Sequence, residues 1–183
     1  MPRLLLLRHA KSSWDDTGLS DFDRPLNLRG RAAAPLMGRH MADHSLSPDR
    51  VLCSSSRRTR ETFAAVLPFL RHDFEAQFLR TIYDCPGGTY APTIRRHGGA
   101  ARTLLLIGHN PVIQETALTL IGRGNPDITA SIAAKFPTSG LAVIDFDGDD
   151  WSGLDPRSGR IVAFFRAREL EVVGDPAITD VDD

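Results

Sequence analysis

Arg8 and His9 in succession, a cluster of Arg57, Arg58 and Arg60, and a second histidine at His109 are the residues of this chain whose types suit one reaction. A guanidinium fork can hold two oxygens of a phosphoryl group and stays charged at any relevant pH, where lysine offers only a point charge. An imidazole can attack phosphorus when one ring nitrogen is unprotonated and the other donates to a fixed acceptor such as a backbone carbonyl. A second, protonated imidazole opposite the first would stabilise the charge spread over the equatorial oxygens without a metal. His9 is therefore the expected nucleophile, Arg8 and Arg58 the clamp, and His109 the second imidazole. Taken singly, a histidine after a strand more often has a structural role, and arginines in a first helical turn more often form a solvated face. Positive charge at the positive end of a helix is unfavourable unless an anion sits there, and that conflict points to function. His40, His44, His72 and His97 lack such a context and read as structural or surface residues.

For these groups to meet, each must leave the carboxyl end of a strand, where loops and helix starts of an open α/β sheet converge on one crevice. The apolar run 3–7 is too short for a helix and reads as a buried strand ending at Arg8 and His9. Residues 50–53 form a second strand, and Ser54, Ser55 and Ser56 offer N-caps for a helix running to about residue 69, with the arginines in its first turn. Residues 103–107 are the most strand-like segment and end at His109, before a helical pattern over 112–121. Between these lie a loop over 10–27 anchored by Trp14, Phe22 and Leu26, a helix over 30–44, a partly extended stretch over 74–83 and a weak helix over 90–97. Residues 122–139 read as a polar excursion, and 141–146 with 160–165 as a strand pair, antiparallel at one edge of the sheet. The alternation predicts a three-layer α/β/α sandwich with a mostly parallel central sheet, one domain over residues 1–170 and a loose acidic tail over 171–183.

Composition narrows the function. A length of 183 residues suits one domain. Hydrophobic residues at 42% and charged residues at 25% are ordinary for a globular chain, so a disordered one is excluded. The formal net charge of −1 provides no overall basic field for nucleic acid, so any anion site must be local. Four consecutive leucines near the start are too few for a signal-peptide core or a membrane span, which predicts a cytoplasmic protein without membrane attachment. Cys53 and Cys85 form no CxxC pair and lack zinc-like spacing, so two buried, reduced thiols and no structural metal are expected.

The motifs resemble those of the histidine phosphatase superfamily, which includes phosphoglycerate mutases and acid phosphatases. Leu-Leu-Arg-His at 6–9 is similar to its Arg-His-Gly signature. Arg-His-Ala-Lys-Ser at 8–12 with Asp-Arg-Pro-Leu-Asn-Leu-Arg-Gly at 23–30 resembles the SixA-type phosphohistidine phosphatase branch, as do Leu-Ile-Gly-His-Asn-Pro at 106–111 and Lys-Phe-Pro-Thr-Ser-Gly at 135–140. Residues 54–62 are similar to the family's Ser-Pro-x-x-Arg-Ala-x-x-Thr helix start, with Ser55 in place of its proline and Thr59 in place of its alanine. The resemblance runs to about Leu170. It implies a phosphoglycerate mutase-like fold, a phosphohistidine intermediate on His9, a phosphate pocket completed by Arg8, Arg58 and His109, and no metal or other cofactor. Many members also carry an acid that protonates the leaving oxygen. No strong counterpart is present here; Asp84 is the best candidate by position, and it reads at least as well as a turn residue beside Cys85-Pro86-Gly87. An imidazole leaves readily once protonated near physiological pH, so the lack of a strong acid leans towards N–P cleavage. The implied partner is a phosphorylated protein, a histidine-phosphotransfer domain among them, or a small phosphate ester. The alternatives are a small-metabolite phosphomonoesterase with the same pocket and a non-catalytic phosphoprotein-binding module. Oligomeric state is not legible.

Overall fold

The structure, a computed structural model, describes residues 1–15, 17–71 and 73–170. His72 and the expected tail over 171–183 lie outside the described residues.

Strand side chains alternate between faces, and β1 (Arg3–Arg8) buries its leucines on both. Leu4 and Leu6 enter one apolar cluster, and Leu5 and Leu7 enter the other. That is why the run is continuously apolar, and it sets helices on both faces. One layer holds α1 (Leu28–Asp43) and α2 (Arg57–Val66), which cover Leu5, Leu7, Val51 and Ile107 with Met37, Met41, Phe63 and Val66. The other holds α3 (Arg80–Tyr83), α4 (Ala91–His97), α5 (Val112–Leu120) and α6 (Pro126–Ala134), whose Ile82, Ile94, Ile113 and Ile132 pack on Leu4, Leu6, Leu52 and Leu106. A short α7 (Ala167–Leu170) follows the last strand.

The remaining strands are β2 (Arg50–Ser54), β3 (Glu75–Leu79), β4 (Thr103–Gly108), β5 (Ile121–Gly124), β6 (Leu141–Phe146) and β7 (Gly159–Phe165). They form a sheet in the order β3-β2-β4-β1-β6-β7-β5. Only β6 runs against the others, so the sheet is mostly parallel, as expected for this α/β sandwich.

The antiparallel pair β6–β7 is not at the sheet's edge. β6 lies between β1 and β7, and the edge belongs to β5, within the stretch read as a polar excursion. β5 has one apolar residue, a register shift and Gly124 at φ 117°, so it carries no alternation to read. α6, from the same stretch, starts at an Asn125 cap that accepts from Asp127 N, with Pro126 in its first turn. The loop after β1 also differs from expectation. Leu26 is buried, but Trp14 is 71% exposed and covered on one face by the Arg24 guanidinium. The loop is held instead by Arg24, which donates to the Ser13 carbonyl and the Ser12 hydroxyl, and by an isolated Ser12–Leu26 bridge. Both cysteines are free, Cys53 buried and Cys85 only partly so. Among the described residues no helix is long and apolar enough to cross a membrane.

Candidate active site

Parallel register brings the histidines together. Arg8 on β1 pairs with Gly108 on β4, so His9 and His109 each emerge one residue past the aligned ends of neighbouring strands. His9 N donates to the Gly108 carbonyl at 3.1 Å, and the imidazole centroids are 5.1 Å apart. On the other side of β4, Cys53 pairs with Ile107, which leaves Ser54 level with Gly108 and delivers the start of α2 to the same crevice.

Each imidazole is oriented by a hydrogen bond. His9 Nδ1 donates to the Ala10 carbonyl at 2.7 Å, so that in the neutral ring Nε2 carries the free lone pair. The loop bearing that carbonyl is pinned twice: Ala10 N donates to Thr62 Oγ1 on α2, and Ser139 N donates to the Arg8 and His9 carbonyls. His109 Nε2 lies 2.8 Å from Ser54 Oγ. Ser54 Oγ accepts from Ser56 N, and its hydroxyl can donate to Nε2; in that tautomer the His109 proton is on Nδ1. Gly108 allows the Tyr90 ring to approach where a Cβ would lie 2.8 Å from it, and the Tyr90 hydroxyl accepts from His109 N.

The arginine cluster resolves into one inward residue. Arg57 pairs with Glu61 on the exposed face and Arg60 is exposed, whereas Arg58 is 7% exposed and turns into the crevice. Its guanidinium donates to the Asp21 carbonyl and, at 3.0 Å, to Asp21 Oδ2, which also accepts from the Tyr83 hydroxyl. The Tyr83 ring lies edge-on to His109 at 5.7 Å. Arg8 reaches the crevice from β1, donating from Nη1 to the Phe136 carbonyl at 2.7 Å.

Among the described residues, Arg8 Nε and His109 Nδ1 are two of the buried polar atoms without a partner, and both belong to the crevice. Each such group costs about 1–3 kcal/mol unless something accepts from it. The electrostatics agree. Burial, then the charge of Arg58, lowers the Arg8 guanidinium from its ordinary value. Burial, followed by His109, holds His9 well below the usual histidine range. His109 is pushed down to about 3 by burial and then by Arg58, with Asp21 opposing. The crevice thus repels further positive charge, and the Asp21 carboxylate on Arg58 offsets only part of its cationic character, which suits it to a phosphoryl group. Burial and Arg58 thus work against the protonated His109 expected from sequence, and the neutral ring offers an N–H from Nδ1 when Ser54 donates to Nε2.

Arg8, His9, Arg58 and His109 are thereby brought together, and Asp84 is not. Its carboxylate takes Arg80 Nε at 3.0 Å on the exposed end of α3. Sequence reasoning missed Ser54, Asp21 and Tyr83. Ser54 was visible only as one of three candidate caps, and Asp21 as one acid in a polar loop.

A sequence profile of the histidine phosphatase superfamily (branch 1) matches residues 4–81. An uncharacterized protein of Mycobacterium tuberculosis is 36% identical over 160 residues, spanning 86% of this chain and 98% of its own length. A protein assigned as the phosphohistidine phosphatase SixA of Agrobacterium tumefaciens is 32% identical and superposes with a TM-score of 0.75 over 90% of this chain and 96% of its own. One with the same assignment from Nakamurella multipartitia is 26% identical, with a TM-score of 0.77 over 90% and 95% of the two chains. On sequence, fold and the two-histidine crevice alike, the chain belongs to the histidine phosphatase superfamily.

Proposed function

We propose that this chain hydrolyses phosphohistidine on proteins through a phosphorylated His9. The observation that carries the reading is the pair of buried, unpartnered nitrogens, Arg8 Nε and His109 Nδ1, in the crevice of an imidazole whose Nδ1 is already committed to a backbone carbonyl. His9 Nε2 attacks phosphorus in line, forming a P–N bond as the bond to the substrate's imidazole nitrogen breaks. The substrate ring already carries a proton on its other nitrogen, so the departing imidazole keeps the electron pair of the broken P–N bond and leaves neutral. Arg8, Arg58 and the His109 N–H carry the charge on the equatorial oxygens. Water then attacks the phosphorus, inorganic phosphate departs, and His9 recovers its lone pair.

The leaving group separates this reading from a general phosphomonoesterase. An alkoxide needs a strong acid beside it, whereas an imidazole does not. The Asp21 carboxylate in the crevice is engaged by Arg58 and Arg24, and the Asp84 carboxylate outside it by Arg80. The SixA assignments of the structural relatives support the same substrate class.

Brief exposure to a phosphohistidine donor, acid-free quenching and peptide mapping should place label on His9, and His9→Ala should abolish turnover. Label elsewhere, or turnover retained in His9→Ala, overturns the mechanism. A panel of phosphohistidine protein, phosphoserine peptide and sugar phosphate, ranked by kcat/KM, tests the substrate. Sugar phosphate ranked first would make the chain a metabolite phosphatase, and binding without turnover would make it a recognition module. Metal removal by a chelator should leave the rate unchanged.

A further inference from the structure

Beside the phosphate crevice lies a cleft of about 650 Å³ whose walls carry Lys11, Arg29, Lys135, Arg166 and Arg168 and no acidic residue. In a chain of net charge −1, five cations around one opening is a marked local imbalance. Arg166 is engaged by Glu169. Among the described residues no carboxylate pairs with Lys11, Arg29, Lys135 or Arg168, and all four are exposed. They come from four separate segments: the loop after β1, the start of α1, the end of α6 and α7.

The cleft and the crevice share their walls. Lys11 is two residues beyond His9, and its backbone is pressed against α1: its carbonyl accepts from Asn27 N at 3.0 Å, and a Cβ on Gly30 would overlap it. Opposite, the 135–139 segment gives Lys135, Pro137 and Thr138 to the cleft, the Phe136 carbonyl to Arg8, and Ser139 N to the Arg8 and His9 carbonyls. A substrate seated on His9 therefore has this basic opening next to it. Residues adjoining a phosphohistidine, spaced about 3.8 Å apart along the chain, reach it within a few positions.

Resting on the protein-phosphohistidine reading above, we infer that this cleft docks acidic residues that flank the phosphohistidine of the substrate protein. A cleft of this size exceeds one phosphate, and its free cations sit on long exposed stems rather than in a fixed bidentate fork. That suits several carboxylates spread along a chain better than the second phosphate of a metabolite. Complementary charge of this kind selects partners and speeds encounter, and salt weakens it.

The probes are two synthetic phosphohistidine peptides that differ only in flanking residues, Asp and Glu in one, Asn and Gln in the other. They are assayed with the full chain and with Arg29→Glu/Arg168→Glu, alongside p-nitrophenyl phosphate and a diphosphorylated sugar. We expect the wild type to favour the acidic peptide by about tenfold in kcat/KM, carried by KM and shrinking with added salt. The variant should lose that preference and hydrolyse p-nitrophenyl phosphate at the wild-type rate, which also reports that it is folded. Equal rates on the two peptides, or a preference that survives in the variant, overturn the docking cleft and leave the substrate reading standing. Loss of activity confined to the diphosphorylated sugar assigns the cleft to a small dianion and overturns it likewise. Hydrolysis of p-nitrophenyl phosphate with neither peptide cleaved removes the protein-phosphohistidine reading and the cleft's role together.

Discussion

His9 and His109 are held by groups at the strand ends, whereas Arg58, on the facing side of the same crevice, is held by the carbonyl and carboxylate of one residue between β1 and α1, Asp21. His9 takes its orientation from the next residue's carbonyl, and His109 from Ser54 at the end of an adjacent strand. Neither anchor is a group that a phosphate would displace. Arg58 instead rests on Asp21, whose side chain is 48% exposed and shared with Arg24 and Tyr83. A carboxylate on a guanidinium fork occupies the place a phosphate would take. The histidine side is preorganised, and the arginine side must exchange one anion for another. Changes on the first side should therefore act through kcat, and changes around Asp21 through KM.

The largest effects should come from removing a donor outright. His109→Ala and Arg58→Ala should each lower kcat by about a hundredfold to a thousandfold, the usual cost of one preorganised donor to developing charge. A loss below about tenfold would take that residue out of the transition state. Both should act on p-nitrophenyl phosphate as well as on phosphohistidine, since the phosphoryl group is common to the two.

Next is a stability signature of the histidine side. His109 falls from 6.5 to about 3 on folding. Between these values the unfolded chain binds a proton that the folded chain refuses, so this contribution is complete above about pH 6.5 and declines as pH falls towards 3. By pH 5 about 2 kcal/mol of it has been lost for this residue alone. Urea unfolding of the wild type and His109→Gln at pH 7.5 and pH 5 should show the smaller acid loss in the variant. Saturating inorganic phosphate should reduce the wild-type loss by favouring the protonated imidazole. Equal loss in both proteins would show that the imidazole is not held neutral.

Ser54→Ala tests the anchor rather than the imidazole. It leaves His109 Nε2 buried without its hydroxyl, and about 1–2 kcal/mol, roughly tenfold in kcat, is expected with KM little changed. Ser54→Thr should recover part of the loss, which a merely structural role would not produce. On the other side, Asp21→Asn should lower KM for a small aryl phosphate by about twofold to fivefold, the scale of a partly exposed ion pair. Burial alone would raise the Asp21 carboxyl, but the bonds from Arg24 and Tyr83 and the charge of Arg58 bring it below the usual range, so it is ionised at neutral pH and competes with substrate. A fall in kcat instead would mean that Asp21 positions Arg58 rather than reserving its place.

The same contrast marks what the sequence made legible. Strands buried on both faces show themselves as unbroken apolar runs, and β1, β2, β4 and β6 were found within one residue of their ends, as was the half-exposed β7. β5 was not, because four residues with two glycines pair by backbone alone and leave no pattern in side chains. Arg8, His9 and His109 were readable because their place at strand ends is a local property, and Arg58 because a cation at a helix start conflicts with the helix dipole. Ser54, Asp21 and Tyr83 act through partners between 37 and 62 residues away. Their roles arise only when the sheet closes.

Asp84 carries the smallest expected effect and the sharpest discrimination. Its carboxylate is tied to Arg80 and more than half exposed, so Asp84→Asn should change kcat/KM for phosphohistidine and for an aryl phosphate by less than about twofold, within the scale of an exposed i,i+4 pair. Neither leaving group needs a strong acid, since imidazole departs neutral once protonated and a phenol is weakly basic. An alkyl phosphate does need one. If Asp84 moves off Arg80 to protonate that oxygen, the variant should lose alkyl phosphate hydrolysis by about tenfold or more while sparing the other two substrates. Equal losses on all three would refute a proton-donor role, because an acid acts in proportion to the basicity of what departs and a structural change does not. No loss on any would leave this crevice without an acid of its own from α3, and its chemistry would be confined to leaving groups that need little help.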